Sequence, residues 1–359
     1  MKTIALGEIA PFKYGKNLPA AQRSKTGEFP VITSAGIVGS HHSAVIEDPC
    51  VVIGRKGSIG SLTYAPNGAW PTDTAFYTTG AQDSDIRFIY YLLATLPLQS
   101  MNRDSAVPGL NRADAESLKV PFFERPQQQA IAEVLGALDD KIAANKAVVE
   151  LCDQLRHTYW KQLTTKATTE QPLSELAQFV NGRAFTKNAD GKGRMVVRIA
   201  ELNTGPGAST VYSSIDVPEN HTVSAGELLM SWSGSLRTAR WFRDDAIVNQ
   251  HIFKVIPTAP DTEWTVESAI DTLMPTFRSI AADKATTMGH IKREHLDFKV
   301  RWPRLTDDQQ ALGASVWRRA LQAEIETEVL ARTRDELLPL LMNGTITVRE
   351  AEDRTKEVL

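Results

Sequence analysis

Apolar residues between 127 and 163 fall on alternating steps of four and three: Ile131, Leu135, Leu138, Ile142, Val149, Cys152, Tyr159 and Leu163. Such a series makes one narrow stripe on a helix, the a/d seam of a coiled coil. Asn145 and Arg156 interrupt it, and a polar residue in a seam fixes register at a cost in stability. Pro126 stands just before the run, where its missing N–H costs little. A second run extends from about Asp307 to Met342, with Val316, Ala320, Ala323, Thr327, Leu330, Leu337 and Leu341 on its stripe and Asn343-Gly344 as a stop signal. Each run is roughly 50 Å long at about 1.5 Å per residue. Two matched helices with narrow seams and charged outer faces predict an antiparallel coiled coil; packing of each helix on its own globular half is the alternative. The remaining sequence reads as strands, with short runs such as Val31-Ile32-Thr33, Cys50-Val51-Val52-Ile53, Met195-Val196-Val197 and Ile252-Phe253-Lys254-Val255 broken by Gly, Pro and Asn.

This plan occurs twice. LGEIAPF at 6–12 matches LSELAQF at 173–179, an offset of 167. VVIGRKGSIG at 51–60 matches LLMSWSGSLR at 228–237, and Phe76 matches Phe253, both at an offset of 177. VPGLNR at 107–112 matches TMGHIKR at 287–293 near 180, and QQAIAEVL from Gln128 matches QQALGASV from Gln309 at 181. Five blocks in order, with a slowly drifting offset, indicate a duplicated domain pair and not a solenoid. The predicted fold is α+β: two strand-rich α/β domains at 1–126 and 166–306, long helices at 127–165 and 307–344 forming an antiparallel coiled coil, and a tail at 345–359.

Composition narrows the function. The 359 residues are 42% hydrophobic and 23% charged with a net charge of −3, ordinary for a globular protein. By segment, 1–126 and 164–306 are each net +1, 127–163 is net −1 and 307–359 is net −4. Any nucleic-acid surface must therefore be local. Cys50 and Cys152 are the two cysteines, too few for a four-ligand zinc cluster or a disulfide framework, and a reducing cytoplasm is expected. The N-terminus lacks the apolar core of a secretory signal, and no run of 18 apolar residues occurs. Gly54, Gly57 and Gly60 follow a strand but lack the Gly-Lys-Ser/Thr of a phosphate loop. The sequence has no Asn-Pro-Pro-aromatic stretch for amino methylation, no His pair at helical spacing and no Gly-x-Ser-x-Gly elbow. The expectation is a chain without its own catalytic or metal site.

The block VVIGRKGSIGSLTYAPNGAWPTDTAFY at 51–77, VPGLNR at 107–112, VPFFERPQQQAIAEVLGALDDKI at 120–142 and LLPLLMNGTITV at 337–348, set within the duplication, resemble the specificity subunit of type I restriction–modification systems. The resemblance covers essentially the whole chain. It implies two target recognition domains, each reading one half of a split site in double-stranded DNA, with the helices setting the gap. It also implies docking of two methyltransferase subunits, usually methylating adenine, and joining of restriction subunits. No cofactor is implied in this chain; S-adenosylmethionine, ATP and Mg are expected in the partners. Two departures are Pro126, where the family usually has an acidic residue before the helix-start glutamines, and the weaker matches of the second half.

On that reading the candidate DNA contacts lie in loops. Arg55 and Lys56 sit in the Gly-rich turn with Ser58; arginine can read guanine through two hydrogen bonds, whereas lysine more often holds phosphate. Thr72 and Asp73 follow Trp70-Pro71. In the second half Ser233, Ser235 and Arg237 occupy the matching turn, and Asn249 and Gln250 suit the adenine edge. Arg112, Lys292 and Arg293 are candidate phosphate clamps, and Arg23 and Lys25 parallel Arg183 and Lys187 in basic loops. The coiled-coil residues are Ile131, Leu138, Ile142, Asn145, Val149, Leu330, Leu337 and Leu341. The competing readings are a coiled-coil adaptor that binds only protein and a recognition module with nuclease chemistry of its own.

Overall fold

The computed structural model describes residues 2–102, 109–166, 169–187, 189–282 and 289–358. Val107, Pro108, Thr287 and Met288 of the matched loop blocks lie outside them. Contacts divide the chain into two units, Met1–Lys141 with Leu330–Leu359, and Ile142–Val329.

The first unit carries β1 (Thr3–Ala5), β2 (Lys13–Tyr14), β3 (Phe29–Thr33), β4 (Gly36–His41), β5 (Cys50–Gly54), β6 (Leu62–Ala65), β7 (Trp70–Pro71), β8 (Ala75–Thr78) and β9 (Lys119–Pro121). Its sheets are ordered β2-β8-β5-β6, β4-β3-β7 and β1-β9. Strand β5 is central and buried along its whole length, which is why it reads as a continuous apolar run and not as an alternation. Burial pushes the Cys50 thiol up to about 12, with Asp48 adding to the effect, so Cys50 stays protonated in the core. A helix at Ile86–Ala94 buries Phe88, Ile89, Leu92 and Leu93, and Asp85 caps it by accepting from the Phe88 N–H at 2.9 Å.

The second unit carries β10 (Thr169–Pro172), β11 (Ala177–Asn181), β12 (Arg194–Val197), β13 (Tyr212–Ser213), β14 (Thr222–Val223), β15 (Leu228–Ser231), β16 (Thr238–Arg240), β17 (Ala246–Val248), β18 (Ile252–Pro257) and β19 (Lys299–Trp302). The order β11-β18-β15-β16 repeats that of β2-β8-β5-β6. The parallel pair β12–β17 repeats β3–β7, and β10-β19 repeats β1-β9. The duplication read from sequence is thus a duplication of topology. A 20-residue helix, Glu263–Ala282, stands where the first half has the shorter Ile86–Ala94.

The two long helices run Arg125–Thr165 and Asp307–Met342. The first begins at Arg125, so Pro126 lies within its first turn and not before it; N–H groups there have no intrahelical acceptor. At 41 residues it is longer than the sequence reading gave, roughly 60 Å at about 1.5 Å per residue.

In the first unit, Ile131, Leu135 and Leu138 of one helix and Leu330, Leu337 and Leu341 of the other are buried, and Arg334 Nη1 meets Asp139 Oδ1 at 2.6 Å. In the second, Ile142, Asn145, Ala320 and Ala323 are buried, and the Asn145 side-chain amide donates to Glu326 Oε2 at 3.0 Å. The order is antiparallel: Asn145 faces Glu326, Asp153 and Glu324 share Arg240, and Trp160 and Trp317 meet in one core.

Val149 is half-buried, and beyond it the seam changes character. Arg156 and Trp160 become the buried positions, while Leu151 and Leu155 are 63% and 53% exposed. The helix there packs on Glu263–Ala282, whose Ser268, Asp271 and Thr272 receive Arg156 and Trp160. Residues 345–359 are no bare tail: Val348–Lys356 is helical, with Thr347 and Glu350 forming a reciprocal cap.

Candidate nucleic-acid interface

In the first half four segments converge on the turn after β5. The Arg55 and Lys56 N–H groups donate to the Thr74 carbonyl at 2.9 and 3.1 Å, and the Leu110 N–H donates to the Arg55 carbonyl at 2.9 Å. Lys56 pairs with Gly109 in an isolated bridge. The Ser34 N–H donates to Thr74 Oγ1, which also bonds Thr72 Oγ1 at 3.0 Å, and so ties in the β3–β4 hairpin. The Arg55 guanidinium lies over Tyr14, 4.9 Å from the ring centroid, and 5.5 Å from that of Phe76. Arg112 is 6.0 Å from the same Tyr14 ring and pairs with Glu116 at 3.0 Å.

The second half repeats this frame. The Trp232 N–H donates to the His251 carbonyl at 3.0 Å, and the Ile291 N–H donates to the Trp232 carbonyl at 2.9 Å. Ser233 bridges His290. Gly15 and Gly182 are matched as well: a Cβ would lie 2.1 Å from the Thr72 carbonyl oxygen at one and 2.2 Å from that of Asn249 at the other. Only glycine fits so close an approach. The side chains placed on the frame differ. Trp232 replaces Arg55, and its indole N–H donates to Asn181 Oδ1 at 2.7 Å, where the first half has Arg55 over Tyr14. Ser233 Oγ bonds His251 Nδ1 at 3.0 Å. His251 has a φ of 80°, a left-handed conformation that costs a non-glycine residue about 1–3 kcal/mol and concentrates at functional sites.

The structure thus gathers Arg55, Lys56, Ser58, Thr72, Asp73 and Arg112 in one loop cluster. Lys56, Ser58 and Asp73 are exposed, Arg55 and Arg112 are half-buried, and Thr72 is 2% exposed within the frame. Arg23 and Lys25 lie elsewhere, on a segment bridged to β4 through Ser24 and Ser40, with Arg23 Nη2 donating to the Leu18 carbonyl. In the second half Ser233, Ser235, Asn249, Gln250, Lys292 and Arg293 gather in the matching cluster, whereas Arg237 lies apart and lines a cavity with Asp153, Arg156 and Arg240. Arg183 joins them by bridging Asn249 and accepting from the Gln250 N–H, and Lys187 follows on the next turn. Ser233 and Asn249 are buried, whereas Ser235, Gln250, Lys292, Arg293, Arg183 and Lys187 are exposed. Asn249 Oδ1 is buried without a hydrogen-bond partner among the described residues, a state that costs about 1–3 kcal/mol.

Sequence reading missed Tyr14, Asn181 and His251. The 167-residue offset already pairs Tyr14 with Asn181, but neither side chain points to chemistry until the turn after the central strand is seen against it.

Residues 1–150 match the family described as type I restriction modification DNA specificity domain. A protein described as a type I specificity subunit of Mycoplasma genitalium is 27% identical over 173 residues, which span 45% of this chain and 44% of that relative. The alignment thus spans less than half the length of that relative. A crystal structure of the S subunit of a type I restriction–modification system from M. genitalium superposes with a TM-score of 0.65 at 14% identity, covering 95% of this chain and 96% of that one. The HsdS subunit of Thermoanaerobacter tengcongensis aligns at 12% identity over 99% and 96% of the two chains, with a TM-score of 0.31, too low to carry an argument. Residues 1–150 thus resemble the type I restriction modification DNA specificity domain, and the chain shares the fold of the M. genitalium S subunit.

Proposed function

We propose that the chain is the non-catalytic sequence-recognition subunit of a type I restriction–modification complex, working in the cytoplasm on double-stranded DNA. Each half reads one half of an asymmetric, interrupted target. The observation that carries this reading is one loop frame built twice and furnished with two different polar sets: Arg55, Lys56 and Asp73 in one, Ser235, Gln250 and Asn249 in the other. A repeated frame with unlike contacts is what a split, non-palindromic site requires. The long helices set the gap and dock two methyltransferase subunits that transfer a methyl group to adenine N6, and restriction subunits join the same assembly. S-adenosylmethionine, ATP and Mg belong to those partners.

The test is to map methylated bases in the source genome with and without this gene. A split motif with unlike halves, methylated only when the gene is present, is the expected result. No gene-dependent methylation, together with no DNA binding by the purified complex, would turn the reading toward a protein-only adaptor.

A further inference from the structure

We propose that Tyr14, Arg55 and Arg112 form a cluster that grips a backbone phosphate, and that the second half lacks its counterpart. The proposal rests on reading the chain as DNA-binding. Tyr14 is 55% exposed and carries two guanidinium groups against one ring, Arg55 at 4.9 Å and Arg112 at 6.0 Å. Among the described residues no carboxylate pairs with Arg55, and Arg112 shares only Glu116. Packing on an aromatic face orients a guanidinium without using its N–H edge, because the attraction comes from the ring quadrupole. Arg55 Nη1 makes one long bond, to the Asp73 carbonyl at 3.4 Å, and Arg112 Nε donates to Glu116 at 3.0 Å; the remaining N–H groups of each guanidinium can donate to a phosphate oxygen. Two such groups brought to one exposed ring suit a phosphodiester, whose two unbridged oxygens can receive both. Lys56, exposed on the same turn, adds to the positive field.

The matched positions of the second half are neutral. Trp232 stands for Arg55 and Asn181 for Tyr14, and the indole spends its single donor on Asn181. Arg293, which follows the Ile291 contact as Arg112 follows Leu110, keeps its charge but has no guanidinium beside it at position 232. The first half therefore holds the DNA backbone through one more charged contact than the second. Tyr14 is a positioning residue, acting through the two arginines.

The experiment measures the affinity of the full chain for fluorescein-labelled duplexes of several arbitrary sequences over a range of KCl concentrations. Arg55→Ala should weaken binding about tenfold at low salt, equally on every duplex, and reduce the slope of log affinity against log salt by about 1. Arg55→Lys should keep the slope. Tyr14→Ala should lower affinity and Tyr14→Phe should restore it, since the ring and not the hydroxyl orients the arginines. The double substitution Asn181→Tyr with Trp232→Arg should steepen the slope by about 1, a gain that misfolding cannot produce. An unchanged slope in Arg55→Ala, while the wild type binds with salt dependence, overturns the phosphate grip. A loss confined to some duplexes also overturns it, by making Arg55 a base reader. A wild type with no salt-dependent binding overturns the DNA-recognition reading itself, and the grip falls with it.

Discussion

In the first half discrete polar contacts tie the sheet domain to the first long helix, and that helix to the second. Arg87 forks onto Asp140 at 2.6 and 3.0 Å, the Tyr91 hydroxyl donates to Asp139 at 2.7 Å, and Arg334 closes on the same Asp139. In the second half the same task falls to a buried charge cluster. Arg240 of β16 reaches Asp153 of the first long helix at 2.7 Å, Glu324 of the second at 3.1 Å and Glu267 of Glu263–Ala282 at 3.5 Å. Arg156 adds Asp271 and Glu267, and the Trp317 indole donates to Glu267 at 2.6 Å. Arg156 and Arg240 are 4% and 5% exposed. Duplication preserved the frame that presents the loops and left the mounting free to diverge. The mounting needs only to be rigid, and rigidity can be reached by many sets of side chains.

The comparison breaks most easily at Arg240. Burial pushes the Asp153 carboxyl up, but the hydrogen-bonded Arg240 guanidinium more than reverses this and holds it below the usual carboxylate range. Burial keeps the Glu324 carboxyl above it in spite of the same arginine. Arg240→Ala would leave Asp153, Glu267 and Glu324 facing one another around a void. Removing one partner of a buried ionic group costs about 3–5 kcal/mol, and chemical denaturation of the variant should show a loss of that size. A loss below about 1 kcal/mol would mean that water fills the site and the cluster is no rigid mount. Arg240→Met is the sharper control, because an apolar side chain of similar volume removes the charge without opening the same void.

In the first half the matching probe is Tyr91→Phe. The hydroxyl has one strong partner, the Asp139 carboxylate, and burial followed by that bond pushes its pKa up, so it stays a donor throughout the ordinary range. Its loss should cost about 1.5–3 kcal/mol, the range for hydrogen bonds to charged groups. The same urea titration reads it. A neutral result would shift the weight of the first mount onto Arg87 and Arg334.

How much of this was legible in the sequence follows from the range of each interaction. The helices, their seam from Ile131 to Asn145, and the duplication are periodic or repeated, and such signals survive in one dimension. The turn after the central strand was legible because Gly57 and its counterpart Gly234 both adopt positive φ, 76° and 63°, and few residues other than glycine do so. Arg156 could be read only as a gap in a heptad, because its partners Ser268 and Asp271 lie more than a hundred residues away. Leu151 and Leu155 fall off the stripe that carries Leu135, and their exposure agrees with that spacing. The Tyr14–Arg55 and Asn181–Trp232 pairs were hidden in another way. Each joins an edge strand to a central one, and only the strand order brings them together.

Asn145 tests the part of the second unit where the helices meet each other alone. Its amide donates to Glu326 from a position 2% exposed. Asn145→Leu should raise stability by about 1 kcal/mol, because a seam amide fixes register at a cost in stability. For a unit of this size that is roughly 2–4 °C in Tm. The same variant should show additional species by mass, from slipped or intermolecular coils. Unchanged melting together with unchanged mass would remove Asn145 from the seam.

The smallest expected effect separates the two mounts by pH. His157 Nε2 lies 3.3 Å from Asp271 Oδ2, and that hydrogen bond, partly opposed by burial and by Arg156, raises the imidazole pKa above its ordinary 6.5. Asp271 lies lower than usual: burial raises it, and His157 and then Arg156 outweigh that. A histidine whose folded pKa is raised contributes stability in full below the unfolded value and loses it as pH climbs through the folded value. The second unit should therefore be slightly more stable near pH 5.5 than near pH 8 through this group. The imidazole side chain is 56% exposed, so solvent screening keeps the contribution within about 1 kcal/mol. His157→Gln should flatten this part of the pH dependence and leave stability at pH 8 nearly unchanged. In the first mount Arg87, Arg334 and Tyr91 all have pKa values raised above their already high ordinary ones, so Tyr91→Phe should cost the same at both pH values. A pH-dependent cost for Tyr91→Phe, or a pH-independent one for His157→Gln, would show that the two halves are not held by different kinds of charge.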